Sequence, residues 1–357
     1  MCKKVLEISA RSDIGGGPKH LLDLLKFNQN ECPKNKLKLY SAIPFNSEYS
    51  DLIIQNSEGS IEIPHRKFSI WALFQIIKYC KQNNIRTIHS HGRGAGYYSR
   101  VLKLIGFRII HTLHGVHIES GLISLIKLKL DQFLVSFTDM FICVSDGEKE
   151  RALQYKIINS NKTVVIYNGI KLQEQVAYQQ SDKSPIVIGL LGRLCHQKGY
   201  DILLTFLEKL LSEEKVPPIK VLIAGDGEEK SNLTKVLKNK KHTPKIINFM
   251  GMTKDPLGFL KELDFFMSFA RFEGMPLSVL EAMSMGIPCL VSNVVGNQDV
   301  INDKNGYLFE LDNYDSFKIS FIKMISSNNE AQTKQANEDL RNLFNNSKQI
   351  VKTINLY

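Results

Sequence analysis

The stretch that decides the fold of this chain is 271–291, Arg271-Phe-Glu-Gly-Met-Pro-Leu-Ser-Val-Leu-Glu-Ala-Met-Ser-Met-Gly-Ile-Pro-Cys-Leu-Val291. It follows a short apolar run, 263–269, that predicts a buried strand, and a second buried strand is predicted over 287–291. Pro276 is predicted to be the first residue of a helix, because the missing N–H of proline costs nothing at that position. Gly286 predicts the end of that helix. The segment therefore indicates a strand, a loop, a helix and a second strand.

The start of this helix predicts a ligand site. Its outward-facing backbone amides would be those of Gly274, Met275 and Leu277, a natural seat for phosphate. Glu273 lies in the loop and Glu281 lies about one turn into the helix, so both carboxylates can reach one ligand. Carboxylates accept hydrogen bonds from sugar hydroxyls. By itself the segment favours a nucleotide-sugar site, and an ordinary strand–loop–helix with two solvated glutamates is the alternative.

The length of 357 residues is that of about two domains, and the charge is divided unevenly between the two halves. Residues 1–178 contain 24 Lys+Arg and 15 Asp+Glu, a balance of +9, whereas the remainder contain 22 and 21, a balance of +1. A basic first half suits an anionic membrane surface, a phosphate-bearing substrate or nucleic acid. A solvated lysine surface without such a partner is the alternative.

The first residues read as a strand rather than as a signal peptide, because Glu7 and Arg11 interrupt the apolar run. No uncharged run reaches transmembrane length. The six cysteines are scattered, without a C-x-x-C pair or metal-ligand spacing. These features favour reduced thiols in a cytosolic protein.

The first half alternates predicted strands and helices, which indicates a parallel sheet with helices on both faces. Predicted strands are 5–9, 37–42, 86–90, 109–113, 140–145 and 163–167, and predicted helices are 68–82, 95–105, 121–138 and 147–156. A glycine turn, Gly15-Gly16-Gly17, follows the first strand and lets the backbone approach a phosphate. It is not a dinucleotide fingerprint, since His20 occupies the third glycine position, and it is not a Walker loop, since the Gly-Lys-Ser/Thr end is missing.

Polar clusters follow successive strands of the first half. They are His89-Ser-His91-Gly-Arg93, then His111-Thr-Leu-His114-Gly115, then Ser145-Asp146 and Asn168-Gly169. Ligands bind at the carboxyl ends of strands in open parallel sheets, so this placement predicts a site. Helix 121–138 is apolar with two lysines in its middle. We expect it to cover the sheet, with contact to a membrane as an alternative that is compatible with covering the sheet.

The polar segment 171–185 predicts a linker, after which the alternation restarts. Predicted strands are 186–191, 219–224, 246–249, 264–269 and 287–292, and predicted helices are 200–212, 228–240, 276–285 and roughly 330–352. Asn305-Gly306 predicts a tight turn before Tyr307-Leu-Phe309. The turn after strand 186–191 contains two cations, Arg193 and Lys198, and the next strand ends in Gly225-Asp226-Gly227. Because no Asp-x-Asp pair occurs in the chain, we expect these cations and the helix dipole, rather than a metal, to stabilise a departing diphosphate.

Taken together, the sequence resembles the retaining glycosyltransferases of family 4, which have the GT-B fold. The resemblance spans essentially the whole chain, and its most specific part is Glu273-x7-Glu281 in the context Phe-Glu-Gly-Met-Pro-Leu. The resemblance implies an α/β protein with two Rossmann-like domains whose parallel sheets face each other across a cleft. The implied divisions are an acceptor-side domain over 1–170, the linker 171–185, a donor domain over 186–335 and a C-terminal helix over 336–357 that packs back towards the first domain.

The resemblance also implies roles for individual residues. Arg193 and Lys198 would hold the donor diphosphate, and Glu273 would approach the transferred sugar. His114 would contact that sugar, although its neighbours His111 and His117 leave this assignment resting on the following glycine. The other implied donor-binding residues are Gly15, Gly16, Gly17, Asp226, Gly274, Met275, Pro276, Leu277 and Glu281. His91 and Arg93 are assigned to the acceptor side, and neither a metal nor another cofactor is expected.

The expected reaction is transfer of a hexosyl or N-acetylhexosaminyl group, with retention, from a UDP-linked nucleotide sugar. The expected acceptor is a glycan, polyprenyl-diphosphate-linked, in O-antigen or capsule synthesis at the anionic inner face of the cell membrane. Three alternatives stay open: a nucleotide-sugar epimerase of the same fold, a sugar-nucleotide-binding protein without activity, and a basic nucleic-acid-binding protein. Clustering of the motifs at strand ends disfavours the last, and no nucleic-acid partner is expected.

Overall fold

A computed structural model describes residues 2–31, 36–116, 121–172 and 184–357. The chain divides into two compact units, Met1–Asn168 with Ser347–Tyr357, and Gly169–Asn346. Most of the predicted linker 171–185, and also His117, lie outside the described residues. Each unit contains one parallel sheet with helices, as the alternation of strands and helices predicted.

The first unit contains a seven-stranded sheet in the order β3-β2-β1-β4-β5-β6-β7. Its strands are β1 Lys3–Ser9, β2 Leu37–Ile43, β3 Ser60–Glu62, β4 Thr87–His91, β5 Arg108–Thr112, β6 Met140–Cys143 and β7 Thr163–Val165. Its first six helices are α1 Gly16–Glu31, α2 Ser50–Gln55, α3 Ile70–Asn83, α4 Gly92–Leu102, α5 Leu122–Leu134 and α6 Asp146–Gln154. The described strand pairs are all parallel, so their carboxyl ends share one edge of the sheet.

Apolar clusters lie on both faces of this sheet. Leu6 and Ile8 of β1 pack with α3 and α4 residues on one side, and Val5 packs with α1 residues on the other. The short elements β3 and α2 were not predicted, because three and six residues carry too little periodic pattern.

Helix α5 covers the sheet with only part of its surface: Leu128 packs against the cluster that contains Phe141 and Cys143 of β6, so the prediction holds for one face of the helix. Only Asp131 and Leu134 of this helix are buried, whereas Leu122 is 73% exposed and Ile123 is 70% exposed. An apolar helix pattern predicts that one face of the helix contacts an apolar environment. The pattern does not distinguish the core of the same unit from another apolar surface.

The second unit contains a six-stranded parallel sheet in the order β10-β9-β8-β11-β12-β13. Its strands are β8 Ile186–Leu191, β9 Ile219–Ala224, β10 Ile247–Gly251, β11 Phe265–Ser268, β12 Cys289–Ser292 and β13 Tyr307–Phe309. The remaining helices of the chain are α7 Tyr200–Glu213, α8 Lys230–Lys238, α9 Pro256–Leu260, α10 Leu277–Ser284, α11 Tyr314–Ser326, α12 Glu330–Leu343 and α13 Asn346–Ile354. Phe269 just after β11, Phe309 of β13 and Phe317 of α11 pack against one another in its core, with ring centroids between 4.7 and 5.4 Å apart.

Helix α10 begins one residue later than predicted. Pro276 is its N-cap, with φ −82° and ψ 84°, rather than its first helical residue. Its end agrees with the prediction: Gly286 has a left-handed φ of 71°, and the amides of Gly286 and Ile287 donate to the carbonyls of Met283 and Ala282. This pair of hydrogen bonds is the Schellman arrangement that glycine permits.

The single closing helix predicted over 330–352 is two helices, α12 and α13. The backbone turns away from the helical path after Phe344 because Ile170 pairs with it: the Ile170 amide donates to the Phe344 carbonyl, and the Asn346 amide donates to the Ile170 carbonyl. Helix α12 belongs to the second unit. Residues 347–357 belong to the first unit, where Ile350 and Tyr357 are buried against the core. None of the described helices is long and apolar enough to span a bilayer.

Candidate functional site

In the second unit, the loop after β8 folds back against the loop before α10. Nζ of Lys198 lies 2.6 Å from Oε1 of Glu273, and Nε2 of Gln197 donates to the Phe272 carbonyl at 3.0 Å. Arg271 braces the same two loops, because its guanidinium forms two hydrogen bonds with Asp201 and one with the His196 carbonyl. The tertiary structure thus joins two motifs that are 75 residues apart in the chain.

Glu273 is held closely by a turn that the sequence analysis did not single out. The Glu273 amide donates to the Val295 carbonyl at 3.0 Å. The next residue, Gly296, has φ +89°, and a Cβ there would lie 2.7 Å from Cβ of Glu273. Only glycine adopts this positive φ readily and also fits beside Glu273 without displacing it. Its sequence signal is the dipeptide Val295-Gly296 after a predicted strand, which is too common to identify a site.

The other predicted donor-binding residues lie on the same edge of this unit's sheet. Arg193 follows β8 and is half-buried, and within the described part of the chain it forms no ion pair. Glu281 is half-buried in the second turn of α10. Asp226 forms an exposed ion pair with Lys230 at 2.6 Å. Gly225, with φ +149°, allows its loop to touch the Gly192 carbonyl, where a Cβ would lie at 1.9 Å.

This part of the second unit can bind an anion. Two cationic side chains, Arg193 and Lys198, leave the loop after β8, and the backbone amides of Gly274, Met275 and Leu277 lie at the start of α10. Among the residues that the structure describes, Lys198 is paired with one carboxylate, Glu273, and Arg193 with none, so the loop retains positive charge. Cations and helix amides together suit a diphosphate.

In the first unit, histidines gather at the carboxyl edge of the sheet. His91 ends β4, His114 follows β5, and His20 lies on α1. The ring centroids of His91 and His114 are 5.4 Å apart, and those of His20 and His114 are 5.3 Å apart. Nδ1 of His91 lies 3.1 Å from Nε2 of His114. Recurrence of histidine at successive strand ends predicted this cluster.

Burial keeps these rings uncharged. Burial lowers the pKa of His20 to about 3 and that of His91 to about 4. It also lowers the pKa of His111 and of His114 well below the usual range. Neutral imidazoles have one donor and one acceptor nitrogen each, so they can orient hydroxyl groups.

The turn at His114 is constrained by its backbone. His114 has φ +58°, an uncommon value for a residue with a side chain, and Gly115 has φ +108°. The Gly115 amide donates to Oε1 of Glu148, and the Val144 amide donates to Oε2 at 2.8 Å. Glu148 is 1% exposed and its own amide is capped by Ser145. Sequence reasoning missed Glu148, although Ser145-x-x-Glu148 is a recognisable capping box.

The glycine turn is partly helical. Gly16 and Gly17 belong to α1, and a side chain at position 17 would begin 3.6 Å from Cδ2 of His114. Gly15 precedes the helix, and its carbonyl accepts from the Lys19 amide. These positions place the glycine turn next to His114, and their phosphate contact stays a prediction.

The two residues assigned to the acceptor side differ in accessibility. His91 is 5% exposed and is held between Glu7 and His114, so direct contact with an acceptor is not supported by its position. Arg93 is partly exposed, and its Nε lies 2.8 Å from Oδ2 of Asp131 on α5. Oδ1 of Asp131 also accepts from buried Arg100 at 3.2 Å. Arg93 therefore links α4 to the exposed helix α5.

One group of described residues has the composition of a metal site. Glu7, His89 and His91 offer ligand atoms within 4.8 Å of one another. These atoms are already hydrogen-bonded: Oε2 of Glu7 lies 2.8 Å from Nε2 of His91 and 3.0 Å from Nδ1 of His89. A resident ion would have to replace the protons that these atoms share.

Comparisons with known proteins agree with this architecture. A family model described as "Glycosyltransferase Family 4" matches residues 44–174, and one described as "Glycosyl transferases group 1" matches residues 173–341. The chain is 28% identical over 303 residues to the UDP-Gal:alpha-D-GlcNAc-diphosphoundecaprenol alpha-1,3-galactosyltransferase of Escherichia coli, covering 80% of this chain and 78% of that protein. It is 27% identical to the O-antigen biosynthesis glycosyltransferase WbnH of Escherichia coli, covering 86% of each.

Solved structures show the same fold at lower identity. Anabaena HepE, solved in complex with UDP and glucose, superposes with a TM-score of 0.79 at 17% identity over 99% of this chain and 100% of that one. The lipopolysaccharide outer core galactosyltransferase WaaB superposes with a TM-score of 0.76 at 18% identity over 99% of each chain.

The two parallel-sheet units and these likenesses define a glycosyltransferase with the GT-B fold. The two matched regions together extend from residue 44 to residue 341. The chain belongs to glycosyltransferase family 4.

Proposed function

We propose that this glycosyltransferase moves a hexosyl or N-acetylhexosaminyl group, with retention, from a UDP-linked donor to a polyprenyl-diphosphate-linked glycan. The observation that carries the proposal is the pairing of Lys198 with Glu273 beside the start of α10. It supports a common site for the diphosphate and the transferred sugar. The names of the relatives, which include a UDP-Gal-dependent enzyme and an O-antigen enzyme, support the donor and the polysaccharide pathway.

Each residue has a defined task in this proposal. Arg193 and Lys198 bind the diphosphate, and the amides before α10 bind its oxygens. Glu281 accepts from the ribose hydroxyls, and Glu273 accepts from a hydroxyl of the transferred sugar. His114 contacts the same sugar. Gly15, Gly16 and Gly17 provide backbone close to the phosphates, and Asp226 supports the neighbouring loop.

The reaction proceeds on one face of the sugar. The bond from the anomeric carbon to the diphosphate oxygen breaks, and that oxygen takes the proton of the acceptor hydroxyl as the new glycosidic bond forms. Cations that neutralise the leaving diphosphate lower the barrier, because negative charge develops there. This route needs no protein nucleophile, and the ion pair of Glu273 with Lys198 suits a carboxylate that positions a ligand. Double displacement through Glu273 is the alternative.

A direct assay tests the proposal. The protein is incubated with a panel of nucleotide sugars and undecaprenyl-diphosphate-linked GlcNAc, and products are analysed by mass spectrometry and anomeric NMR. We expect one hexosyl unit to be added with retained configuration from a UDP-sugar. Conversion of the UDP-sugar without an acceptor would support the epimerase alternative. Tight binding without any conversion would support a binding protein, and binding of nucleic acid in place of UDP-sugars would overturn the proposal.

We further propose that the first unit docks on an anionic membrane at the cytoplasmic face. Helix α5 exposes Leu122, Ile123, Ile126 and Phe133, and the exposed cations Lys127 and Lys129 lie on the same helix. Such a helix binds an interface by its apolar side chains while its cations attract anionic lipid. The excess charge of the first half, +9 over residues 1–178, acts in the same direction.

Liposome co-sedimentation checks this docking. We expect binding to vesicles that contain anionic lipid, release in high salt, and at least about tenfold weaker binding for the double variant Ile123→Ser/Ile126→Ser. Ile319→Ser is the matched control, because Ile319 is 66% exposed on α11 of the second unit. Equal binding of the two variants, or indifference to lipid charge at low ionic strength, would contradict membrane docking through α5.

We also propose that turnover needs no metal ion. Activity should persist in EDTA, because Arg193 and Lys198 neutralise the diphosphate. The measurement is the initial rate of sugar transfer after chelation and after addition of Mg²⁺ or Mn²⁺. A rate that is lost on chelation and restored only by a divalent ion would contradict this proposal.

A further inference from the structure

A buried chain of polar side chains ends at His114. Its members come from separate parts of the first unit: Glu7 from β1, His89 and His91 from β4, and Tyr357 from the segment after α13. Glu7 and His89 are 0% exposed, His91 is 5% exposed and Tyr357 is 7% exposed. Burial of an ionised carboxylate costs free energy unless hydrogen bonds compensate it. The hydrogen bonds among these four side chains therefore indicate which of their atoms carry protons.

Glu7 is the fixed acceptor of the chain. Its Oε1 accepts from the Tyr357 hydroxyl at 2.6 Å, and its Oε2 lies 2.8 Å from Nε2 of His91. Burial alone would raise the pKa of the Glu7 carboxyl. The nearby His89 ring and the hydrogen bonds from His89 and His91 outweigh burial, so the pKa of Glu7 is lowered below its usual range. An ionised carboxylate can only accept, so Nε2 of His91 carries a proton.

The proton position on His91 determines that on His114. Because burial lowers the pKa of His91 to about 4, its ring is neutral and Nδ1 is an acceptor. Nδ1 of His91 lies 3.1 Å from Nε2 of His114, so Nε2 of His114 is the donor. Nδ1 of His114 is then an acceptor, and it has no hydrogen-bond partner among the residues described.

We propose that Glu7 and His91, supported by Tyr357, are positioning residues that hold His114 as its Nε2–H tautomer, so that Nδ1 accepts from a hydroxyl of the donor sugar. The sugar contact rests on the proposed function, whereas the tautomer follows from the hydrogen-bond chain. The other members of the chain orient the His114 imidazole, which contacts the sugar. Glu7, His91 and Tyr357 therefore affect the reaction without touching the sugar themselves.

Two substitutions of His91 separate the two ends of the chain. His91→Asn retains an acceptor oxygen near the position of Nδ1 but loses the bond to Glu7, and His91→Gln retains a donor near Nε2 but has no acceptor facing His114. The primary readout is ¹⁵N NMR of histidine-labelled full-length protein, which distinguishes the two tautomers of His114. We expect the Nε2–H form in the wild type, its retention in His91→Asn, and a mixture of tautomers in His91→Gln.

Kinetics supply the second readout. We expect kcat/KM for the UDP-sugar to fall at least about tenfold in His91→Gln and less in His91→Asn. Affinity for UDP should stay unchanged in both variants, because UDP lacks the transferred sugar. Loss of UDP affinity in parallel with activity would instead indicate general damage to the structure and would count against a positioning role.

Tyr357→Phe tests the far end of the chain. It removes the donor to Oε1 of Glu7, and we expect a shifted His114 ¹⁵N signal and a several-fold lower kcat/KM. Tyr98→Phe is the matched control: Tyr98 is a buried tyrosine of the same unit whose hydroxyl donates to the Lys67 carbonyl, outside the chain. We expect this control to leave both readouts unchanged.

Specific outcomes would overturn the inference. They are an Nδ1–H tautomer of His114 in the wild type, an unaltered tautomer in His91→Gln, or a stoichiometric metal ion bound at Glu7, His89 and His91 in the purified protein. If no donor is turned over at all, the proposed function fails, but the NMR result still decides whether the chain sets the tautomer.

Discussion

Replacement of Glu273 by glutamine should lower kcat about 10²-fold, the scale of losing one charged contact made to the reacting sugar in the transition state. Glutamine keeps the size of the side chain and an acceptor oxygen but removes the charge. Affinity for UDP should not fall, since the substitution frees Lys198 from an ion pair of 2.6 Å. Steady-state kinetics with the UDP-sugar, together with calorimetry of UDP, measure both quantities.

Glu281→Gln is the matched control for this prediction. Glu281 should bind the ribose in the ground state and the transition state alike, so its loss should chiefly raise KM for the donor. Full kcat in Glu273→Gln would show that Glu273 has no catalytic role. If Glu281→Gln also leaves donor binding intact, the nucleotide-sugar site does not lie at α10.

Lys198→Ala should weaken binding of a nucleoside diphosphate by about 1.5–3 kcal/mol, the value of a charged hydrogen bond. That corresponds to an affinity about 10- to 150-fold lower. Binding of uridine should change little, because it has no phosphate for the ammonium group to contact. Isothermal titration with UDP and with uridine measures this difference.

Lys230→Ala provides the comparison for Lys198. Lys230 forms an ion pair of the same 2.6 Å length with Asp226, but its side chain is 43% exposed, whereas Lys198 is 21% exposed and pairs with buried Glu273. Exposed ion pairs contribute little free energy, so the UDP affinity of Lys230→Ala should stay within about twofold of the wild-type value. Equal losses for UDP and uridine in Lys198→Ala would indicate a structural role and contradict diphosphate binding.

Elements whose pattern is local were predictable from the sequence. Strands β8 and β9 have the predicted bounds, 186–191 and 219–224, because strands buried on both faces of a parallel sheet are continuous apolar runs. Helix α11 was missed although its signals are present: Asn313 caps it, and Phe317, Phe321 and Met324 lie at helical spacing on its buried face.

Other features depend on contacts that no local pattern contains. The apolar sequence of α5 fits a helix that covers a sheet as well as one that faces outward, and only the packing of the first unit shows that most of the helix is exposed. The helix predicted over 330–352 is interrupted because Ile170, far away in the chain, pairs with the backbone at Phe344 and Asn346.

The sequence by itself determined that this chain has two parallel α/β halves and that cations and carboxylates follow particular strands of the second half, since periodicity, proline and glycine act on neighbouring residues. Only the tertiary structure decided which of these side chains meet. Glu7 faces His89 because β1 pairs with β4, and Tyr357 joins them from 350 residues away. Strand order and register bring distant residues together, and they are set by the packing of the whole unit rather than by any one segment.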